Sequence, residues 1–97
     1  MDLVIVELVI EEDRIQHIAK HKVKIEEVKE IISGDYMFID GKLGRWLLIG
    51  KTRGERFLTI VVGKRKQKNT YGLVTARPSS IEERSLYKEF TKQKGGE

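Results

Sequence analysis

Blocks of hydrophobic and polar positions succeed one another along this chain, and the first blocks predict a strand followed by a helix. Residues 3–10 are rich in β-branched side chains, which favours a strand. The acidic residues that follow suit the first turn of a helix, because the helix dipole stabilises negative charge there. An apolar stripe comes next, so we predict a first helix over about 11–21; the stripe consists of Ile15, Ile18 and Ala19, with Val23 just beyond.

A second helix, four strands and a last helix are predicted downstream. The second helix has apolar residues at helical spacing from Ile25 to Ile32 and ends at Gly34. The strands are predicted at 36–40, 45–52, 56–62 and 71–77, with tight turns at 41–44 and 53–55 and a polar loop at 63–70. The last helix is predicted over about 81–92.

The order β-α-α-β-β-β-β-α describes an α+β fold. We expect a mostly antiparallel sheet of four to five strands, with two N-terminal helices and one C-terminal helix. A chain of 97 residues suits one domain, which we place at 1–92, with a frayed tail at 93–97.

One arginine stands at the junction of the predicted last strand and last helix. Pro78 cannot continue a hydrogen-bond ladder, and Ser80 with Glu83 has the spacing of a capping box for a helix that begins at Ile81. We therefore expect Arg77 to lie where the sheet edge opens, with its guanidinium able to bind an anion such as a phosphate. A structural salt bridge is the alternative.

Charge is distributed unevenly along the chain. The formal net charge is +4, but residues 1–41 carry five basic and ten acidic groups, whereas residues 42–77 carry ten basic groups and one acidic group. Such a concentration of positive charge favours a polyanionic partner. The alternative is that these groups are solvated strand ends that discourage aggregation.

Composition and motif spacing exclude several classes of site. The chain has no cysteine, so disulfides and cysteine zinc sites are excluded, and the N-terminal apolar run is too short for a signal peptide or a membrane span. We expect a cytoplasmic protein with no membrane partner. His17 and His21 stand four apart on the first helix, but there is no third histidine, so we predict no metal site; no glycine pattern spells a phosphate loop, and we predict no cofactor.

The remaining candidates are cations, tyrosines and a histidine, which suit cleavage of RNA by its own 2′-hydroxyl without a metal. The protein must then align the attack, accept the 2′ proton, stabilise the extra charge of the phosphorane and protonate the leaving oxygen. Arg77, Arg56 and Lys51 are the candidate clamp. The candidate proton carriers are Tyr87, Lys64 and His17, which spacing alone does not rank, and Tyr87 is equally suited to flank the core.

Three stretches resemble the BrnT toxins of bacterial toxin–antitoxin systems, small relatives of the RelE-type ribonucleases. They are Ile18-Ala19-Lys20-His21-Lys22 with its continuation to Val28, Arg45 through Thr52 with Gly54, Arg56 and Leu58, and Val74-Thr75-Ala76-Arg77-Pro78 with Glu83-Arg84 and Leu86-Tyr87. The resemblance spans about residues 7–90. The chain differs from the family at the helix junction, where Lys22 and Lys24 replace the common glycine and serine.

The resemblance implies a ribonuclease toxin that inhibits translation. Its partners would be RNA and a cognate antitoxin, expected to be of the ribbon-helix-helix type, with DNA contacted only through the antitoxin complex that represses its own promoter. Lys51, Arg56 and Arg77 match basic positions of the family's proposed active-site region, and His21 matches its Lys-His motif. With Tyr87 these form the predicted catalytic set, and the predicted substrate-binding set is Arg45, Arg53, Lys64, Arg65 and Lys66.

A second hypothesis is a non-catalytic module of the same fold that binds nucleic acid or protein through the basic surface. The sequence leaves open whether the protein forms a homodimer.

Overall fold

A computed structural model of the protein describes residues 3–94, which form five strands and three helices in the predicted order. The elements are β1 (Glu7–Val9), α1 (Glu12–Ala19), α2 (Ile25–Ile32), β2 (Met37–Lys42), β3 (Arg45–Lys51), β4 (Phe57–Lys64), β5 (Thr70–Pro78) and α3 (Ile81–Lys94). The α+β class and the layout of two N-terminal helices, a sheet and a C-terminal helix are confirmed. Residues 95–97 of the expected tail lie outside the described residues.

Within the described residues, the strands form one sheet in the order β1-β5-β4-β3-β2. Strands β2 to β5 pair antiparallel with their neighbours, and β1 pairs parallel with β5. One row of directly opposed residues crosses three strands, because Arg45 pairs with Gly63 and Gly63 pairs with Gly72. This row becomes important for the site.

The two faces of the sheet carry different helices. Because side chains alternate along a strand, Leu58 and Ile60 point to one face and Phe57 and Thr59 to the other. The first face packs on α1 and α2 and forms the core, whose fully or nearly fully buried members are Ile18, Val23, Val28, Ile31, Leu48, Leu58, Ile60, Val62, Tyr71, Leu73 and Ala76. Helix α3 lies on the second face, where the Tyr87 ring packs edge-on at 6.0 Å from the Phe57 ring.

Helix α1 also lies along the edge of β5, beyond the short β1. The Arg14 guanidinium donates a hydrogen bond from Nη1 to the carbonyl of Val74 at 3.0 Å, and His17 Nε2 lies 3.0 Å from the Thr75 hydroxyl. These contacts satisfy polar groups at an edge that would otherwise be open to another strand. They also bring α1 to the basic half of the sheet.

The predicted first strand at 3–10 is too long, since β1 contains only three residues. Its partner β5 begins at Thr70, and the register allows pairing only with Thr70, Tyr71 and Gly72. Residues before Glu7 therefore have no strand to pair with, and Val6 is 74% exposed. A β-branched run predicts an extended chain, but the available partner decides how much of it becomes a strand.

The two lysines that replace the glycine and serine common in the BrnT family lie at the junction between α1 and α2. Lys22 has a φ of 63°, in the left-handed region that favours glycine, and Lys24 is the N-cap residue of α2. A lysine side chain has no hydrogen-bond acceptor, so it cannot cap the helix as a serine would. The complementary half of a capping box is present, because the Lys24 amide donates to Glu27 Oε1 at 3.0 Å.

Candidate functional site: a basic cradle and a paired clamp

Four of the basic side chains meet at one end of the second sheet face. We call this concave region the basic cradle; its walls are Arg14, Arg45, Lys64 and Arg65, its floor contains Gly44, Gly63 and Gly72, and Glu11, Leu43, Leu73 and Val74 complete the lining. It encloses about 370 Å³. Three strands, one hairpin turn and the start of α1 contribute to it, so the side chains are held by several rigid elements.

The floor of the cradle depends on glycine at position 72. A Cβ atom added to Gly72 would lie 2.3 to 2.6 Å from the guanidinium atoms of Arg65, which is closer than real Cβ contacts. The Arg65 guanidinium therefore lies directly against the bare backbone of β5. Gly63, directly opposite, is different, because an added Cβ there would meet only a methyl group of Val74 at an ordinary 3.5 Å.

The walls of the cradle contain cations without internal counter-ions. Within residues 3–94, no carboxylate oxygen lies within 4.0 Å of the charged atoms of Arg45 or Lys64, and both side chains are exposed. Arg65 has one carboxylate partner, Glu11, at 3.4 Å, and the Glu11 side chain is 55% exposed. The cradle thus presents positive charge that is only partly neutralised, since Arg45 and Lys64 have no carboxylate partner among the described residues, and Arg14 and Arg65 have exposed partners, Asp13 at 3.5 Å and Glu11 at 3.4 Å.

Three of the five predicted substrate-binding residues, Arg45, Lys64 and Arg65, are brought together in the cradle. Lys66 is exposed in the adjoining loop next to Arg65. Arg53 is not part of this group, because it lies in the β3–β4 turn beside Glu30 of α2, with a side chain that is 96% exposed. Their role in substrate binding stays a prediction.

Arg77, the first candidate for the clamp, is held by a carboxylate at the start of α3. Its two terminal nitrogens donate to the two oxygens of Glu83 at 2.8 and 2.9 Å. Glu83 Oε1 also accepts the Ser80 amide and the Thr59 hydroxyl at 2.8 Å each, and the Ser80 hydroxyl accepts the Glu83 amide. The predicted capping box is present, and the salt bridge that was the alternative for Arg77 is what the structure contains.

This network perturbs both charged partners. The hydrogen bond from Arg77 is the largest cause that lowers the pKa of Glu83 to about 2, and the Ser80 amide and Thr59 hydroxyl contribute in the same direction against the effect of burial. The same hydrogen bond to Glu83 raises the pKa of Arg77. The ion pair is therefore kept at all pH values in which the protein would work.

Arg56 lies on the opposite side of the sheet from Arg77. Its Nη1 lies 2.8 Å from both carboxylate oxygens of Glu27 on α2, and Glu27 is the residue that also caps that helix. The Arg56 amide donates to the Thr52 hydroxyl, which shapes the β3–β4 turn. Arg56 therefore ties this turn to the first face of the sheet, away from α3.

Lys51 and Tyr87 share the second face with Arg77. Lys51 Nζ lies 5.7 Å from the centre of the Phe57 ring and 3.9 Å from an oxygen of the exposed Glu55. Tyr87 is 9% exposed and packs between the rings of Phe57 and Phe90. Lys51 lies on β3 and Arg77 on β5, two strands and about 12 Å apart by strand geometry.

The predicted clamp is consequently not assembled. Lys51, Arg56 and Arg77 lie on two faces of the sheet, and each has its own carboxylate partner. The sequence indicates the cations at strand ends, but the carboxylates that pair with them are brought there by helix packing, which the sequence pattern does not show. The catalytic roles of these residues stay predictions.

The histidines lie on α1 and in the turn after it. His21 is exposed, and its ring packs edge-on against His17 with centroids 5.3 Å apart. Within the described residues, no group of three or more histidine, cysteine, aspartate or glutamate side chains is arranged to hold a metal ion.

Two contributors to the cradle were missed by sequence reasoning. Arg14 belongs to the acidic N-terminal half of the chain, and only the packing of α1 along β5 brings it to the cradle. Gly72 interrupts a hydrophobic strand, which is a recognised sign of close approach by another group, so this signal was present in the sequence.

None of the helices among residues 3–94 has the length and apolar character needed to cross a membrane.

Comparisons with known proteins show a likeness in fold. No protein-family model matches the chain, and no curated protein sequence matches it. A crystal structure of the Brucella abortus ribonuclease toxin BrnT superposes with a TM-score of 0.60 and 18% sequence identity, covering 76% of this chain and 96% of that one. The protein therefore has a BrnT-like fold.

Proposed function

We propose that this protein is a metal-independent ribonuclease toxin of a type II toxin–antitoxin system, which inhibits translation by cleaving RNA through attack of its 2′-hydroxyl. The observation that carries the proposal is the basic cradle, a concave site on a BrnT-like fold in which two of four cations have no carboxylate partner among the described residues. Phosphate contacts dominate the affinity of proteins for nucleic acids, and the cradle offers them without first breaking a strong internal ion pair.

The predicted catalytic residues differ in how readily each one can reach a phosphate, because their carboxylate partners hold them with different strength. Lys51 is the most available, because its only carboxylate partner among the described residues is exposed and 3.9 Å away. Arg77 must first leave a bidentate contact with Glu83, whose side chain is 13% exposed, so it is the least available. In this proposal Lys51 approaches the scissile phosphate and Arg77 positions α3, which carries Tyr87.

The proposed partners follow from the same hypothesis. RNA is the substrate, a cognate antitoxin of the ribbon-helix-helix type holds the toxin inactive, and DNA is contacted only through that complex. The site of action is the cytoplasm, where translation takes place. A homodimer stays an open part of the proposal.

A non-catalytic module that binds nucleic acid or protein is the second candidate, and one observation favours it. Arg56 and Arg77 are both engaged by carboxylates in bidentate or near-bidentate contacts, so the chain has an open binding surface without an assembled clamp. Such a module would bind RNA with the same salt dependence but would never cleave it.

The test uses purified protein and a single-stranded RNA in EDTA. We expect cleavage products that end in a 2′,3′-cyclic phosphate, while DNA of the same sequence stays intact because it has no 2′-hydroxyl. Intact RNA with wild-type protein at high concentration would remove the ribonuclease hypothesis and leave the binding module.

A pair of charge-matched variants tests whether the cradle is the docking site. Arg45→Glu with Lys64→Glu and, as a control, Lys20→Glu with Lys29→Glu each lower the formal net charge from +4 to 0. All four residues are exposed, so both variants should fold. We expect the first variant alone to lose cleavage and RNA binding, whereas an equal loss in both would show that only total charge matters.

A further inference from the structure

We propose that the basic cradle is a built phosphodiester site, in which Gly72 allows the Arg65 guanidinium to lie directly against the strand and donate to one phosphate of single-stranded RNA. This inference rests on the proposed function for the identity of the ligand. It goes beyond that function in naming the atoms that hold the backbone and the glycine that makes the arrangement possible.

The cradle contains two neighbouring strand positions without side chains. In the row Arg45, Gly63 and Gly72, two consecutive positions have no side chain, and the Arg65 guanidinium lies over the second of them. Strands are about 4.8 Å apart, which leaves room for a phosphate group between the walls. Arg45 lies on the β3 side of these glycines and Arg14 on the β5 side, as the order of the strands requires, with Lys64 and Arg65 at the end of β4.

Arg65 is held closely by the strand but only weakly by a carboxylate. Its guanidinium contacts the Gly72 backbone so closely that any larger residue would displace it, yet its only carboxylate partner within residues 3–94 is the exposed Glu11 at 3.4 Å. A planar guanidinium binds the two oxygens of a carboxylate or a phosphate in the same bidentate manner. Glu11 therefore occupies the position of the ligand and is readily displaced by a phosphate that also meets Arg45 and Lys64.

The lining of the cradle favours a nucleic-acid backbone over an acidic protein segment as the ligand. An acidic protein segment would also be attracted by the cradle, but its lining is mainly polar, with Leu43, Leu73 and Val74 as the apolar members, and four cations in one concave site suit the closely spaced phosphates of a nucleic-acid backbone. The far end of the same face is closed by α3, about 13 Å along β4 from Gly63 by strand rise. A single strand can enter the cradle and follow the open part of this face up to α3, whereas Lys51, which pairs with Phe57 under Tyr87, lies beyond that point.

The test separates the built site from general positive charge. The variant Gly72→Ala keeps every cation, but its new Cβ forces the flexible Arg65 side chain off the strand. The control Gly54→Ala lies in the β3–β4 turn, outside the cradle, and its Cβ meets its nearest atom at an ordinary 3.7 Å. Binding is measured with a 2′-O-methyl RNA octamer, which cannot be cleaved, and thermal melting verifies the fold of each variant.

We expect Gly72→Ala to bind the octamer about tenfold more weakly than wild type, as the loss of one charge-assisted contact implies, and Gly54→Ala to bind like wild type. The slope of log K against log salt should become less steep for Gly72→Ala by about one phosphate contact. Glu11→Gln removes the competing carboxylate and should bind more tightly. Equal affinities for wild type and Gly72→Ala, or equal losses in both glycine variants, would overturn the proposal.

Failure of this site is distinguishable from failure of the proposed function. If wild type cleaves RNA but Gly72→Ala binds as well as wild type, the ribonuclease hypothesis stands and the phosphate site is wrong. If wild type never cleaves RNA but Gly72→Ala alone loses octamer binding, the site stands on a non-catalytic module.

Discussion

Arg77 is expected to contribute to stability through α3, and the size of this effect follows from its contacts with Glu83. The pKa of Glu83 falls from 4.5 to about 2 in the folded protein, which corresponds to about 3 kcal/mol of stabilisation of the carboxylate if the unfolded value is normal. Arg77 causes the largest part of this shift, but its side chain is 37% exposed, and solvent screening reduces its share. We therefore expect Arg77→Ala to lower the free energy of unfolding by about 1 to 2 kcal/mol at pH 7.

The sign of the pH dependence follows from the direction of the shift. A carboxylate with a lowered pKa in the folded state contributes fully above its unfolded pKa, and this contribution is lost as the pH falls from about 4.5 toward 2. The stability difference between wild type and Arg77→Ala should therefore shrink over this range. Near pH 7 this stability difference should not change with pH, because the Glu83 carboxylate is ionised in both the folded and the unfolded state there.

Urea unfolding at pH 7 and at pH 2.5 measures both quantities, with Glu83→Gln and the double variant completing a mutant cycle. Arg84→Ala is the matched control, because this substitution removes the same charge. Arg84 is exposed and has no ion pair among residues 3–94. A loss for Arg77→Ala no larger than that for Arg84→Ala, or a loss that persists unchanged at pH 2.5, would refute the reasoning. The result also decides how a loss of RNA cleavage in Arg77→Ala is interpreted, because a variant with a displaced α3 loses activity indirectly.

Two further stability changes are expected from local geometry and are measured by the same urea titration. Lys24→Ser supplies the missing acceptor of a capping box whose Glu27 half already exists, so it should raise the free energy of unfolding by about 1 kcal/mol; a decrease would contradict the capping argument. Gly50→Ala places a Cβ 2.7 Å from Ile31 in the closed core and should lower it by about 1 to 3 kcal/mol. Gly54→Ala in the open turn is its control, because a Cβ there meets its nearest atom at 3.7 Å.

Local features of the fold could be predicted from the sequence because they depend on neighbouring residues. The capping box of Ser80 and Glu83 needs only a spacing of three and a following apolar run, and the structure contains it. The turn of 53–55 and the boundaries of the central strands are local in the same sense. The first strand was predicted too long because its length depends on where β5 begins, some sixty residues away.

The candidate site could be predicted only in part, because it depends on the register between strands. Alternation along β3 places Arg45 and Lys51 on one face, but only the pairing of β3, β4 and β5 shows that Arg45 stands beside two glycines. The partners of Arg56 and Arg77 are likewise set by helix packing, which brings Glu27 from α2 and Glu83 from α3. A sequence indicates which residues can bind a phosphate, but the surrounding carboxylates decide which of them are available.

The cradle also suggests why the basic half of the chain does not destabilise the fold. Its cations lie at strand ends and loops, where water and salt screen their mutual repulsion, and Glu11 partly neutralises Arg65. When a phosphate replaces Glu11, the site gains a ligand without a rearrangement of the sheet. We therefore expect RNA binding to leave the backbone of β4 and β5 in place.

The most direct measurement of the central claim is to map the RNA on the protein by amide NMR shifts with the uncleavable octamer. The account predicts that the largest shifts are those of the cradle backbone, at Gly63, Arg65 and Gly72, and that they diminish in Gly72→Ala. Shifts centred on the Arg56 turn and α2 instead, or no saturable shifts at low salt, would contradict it.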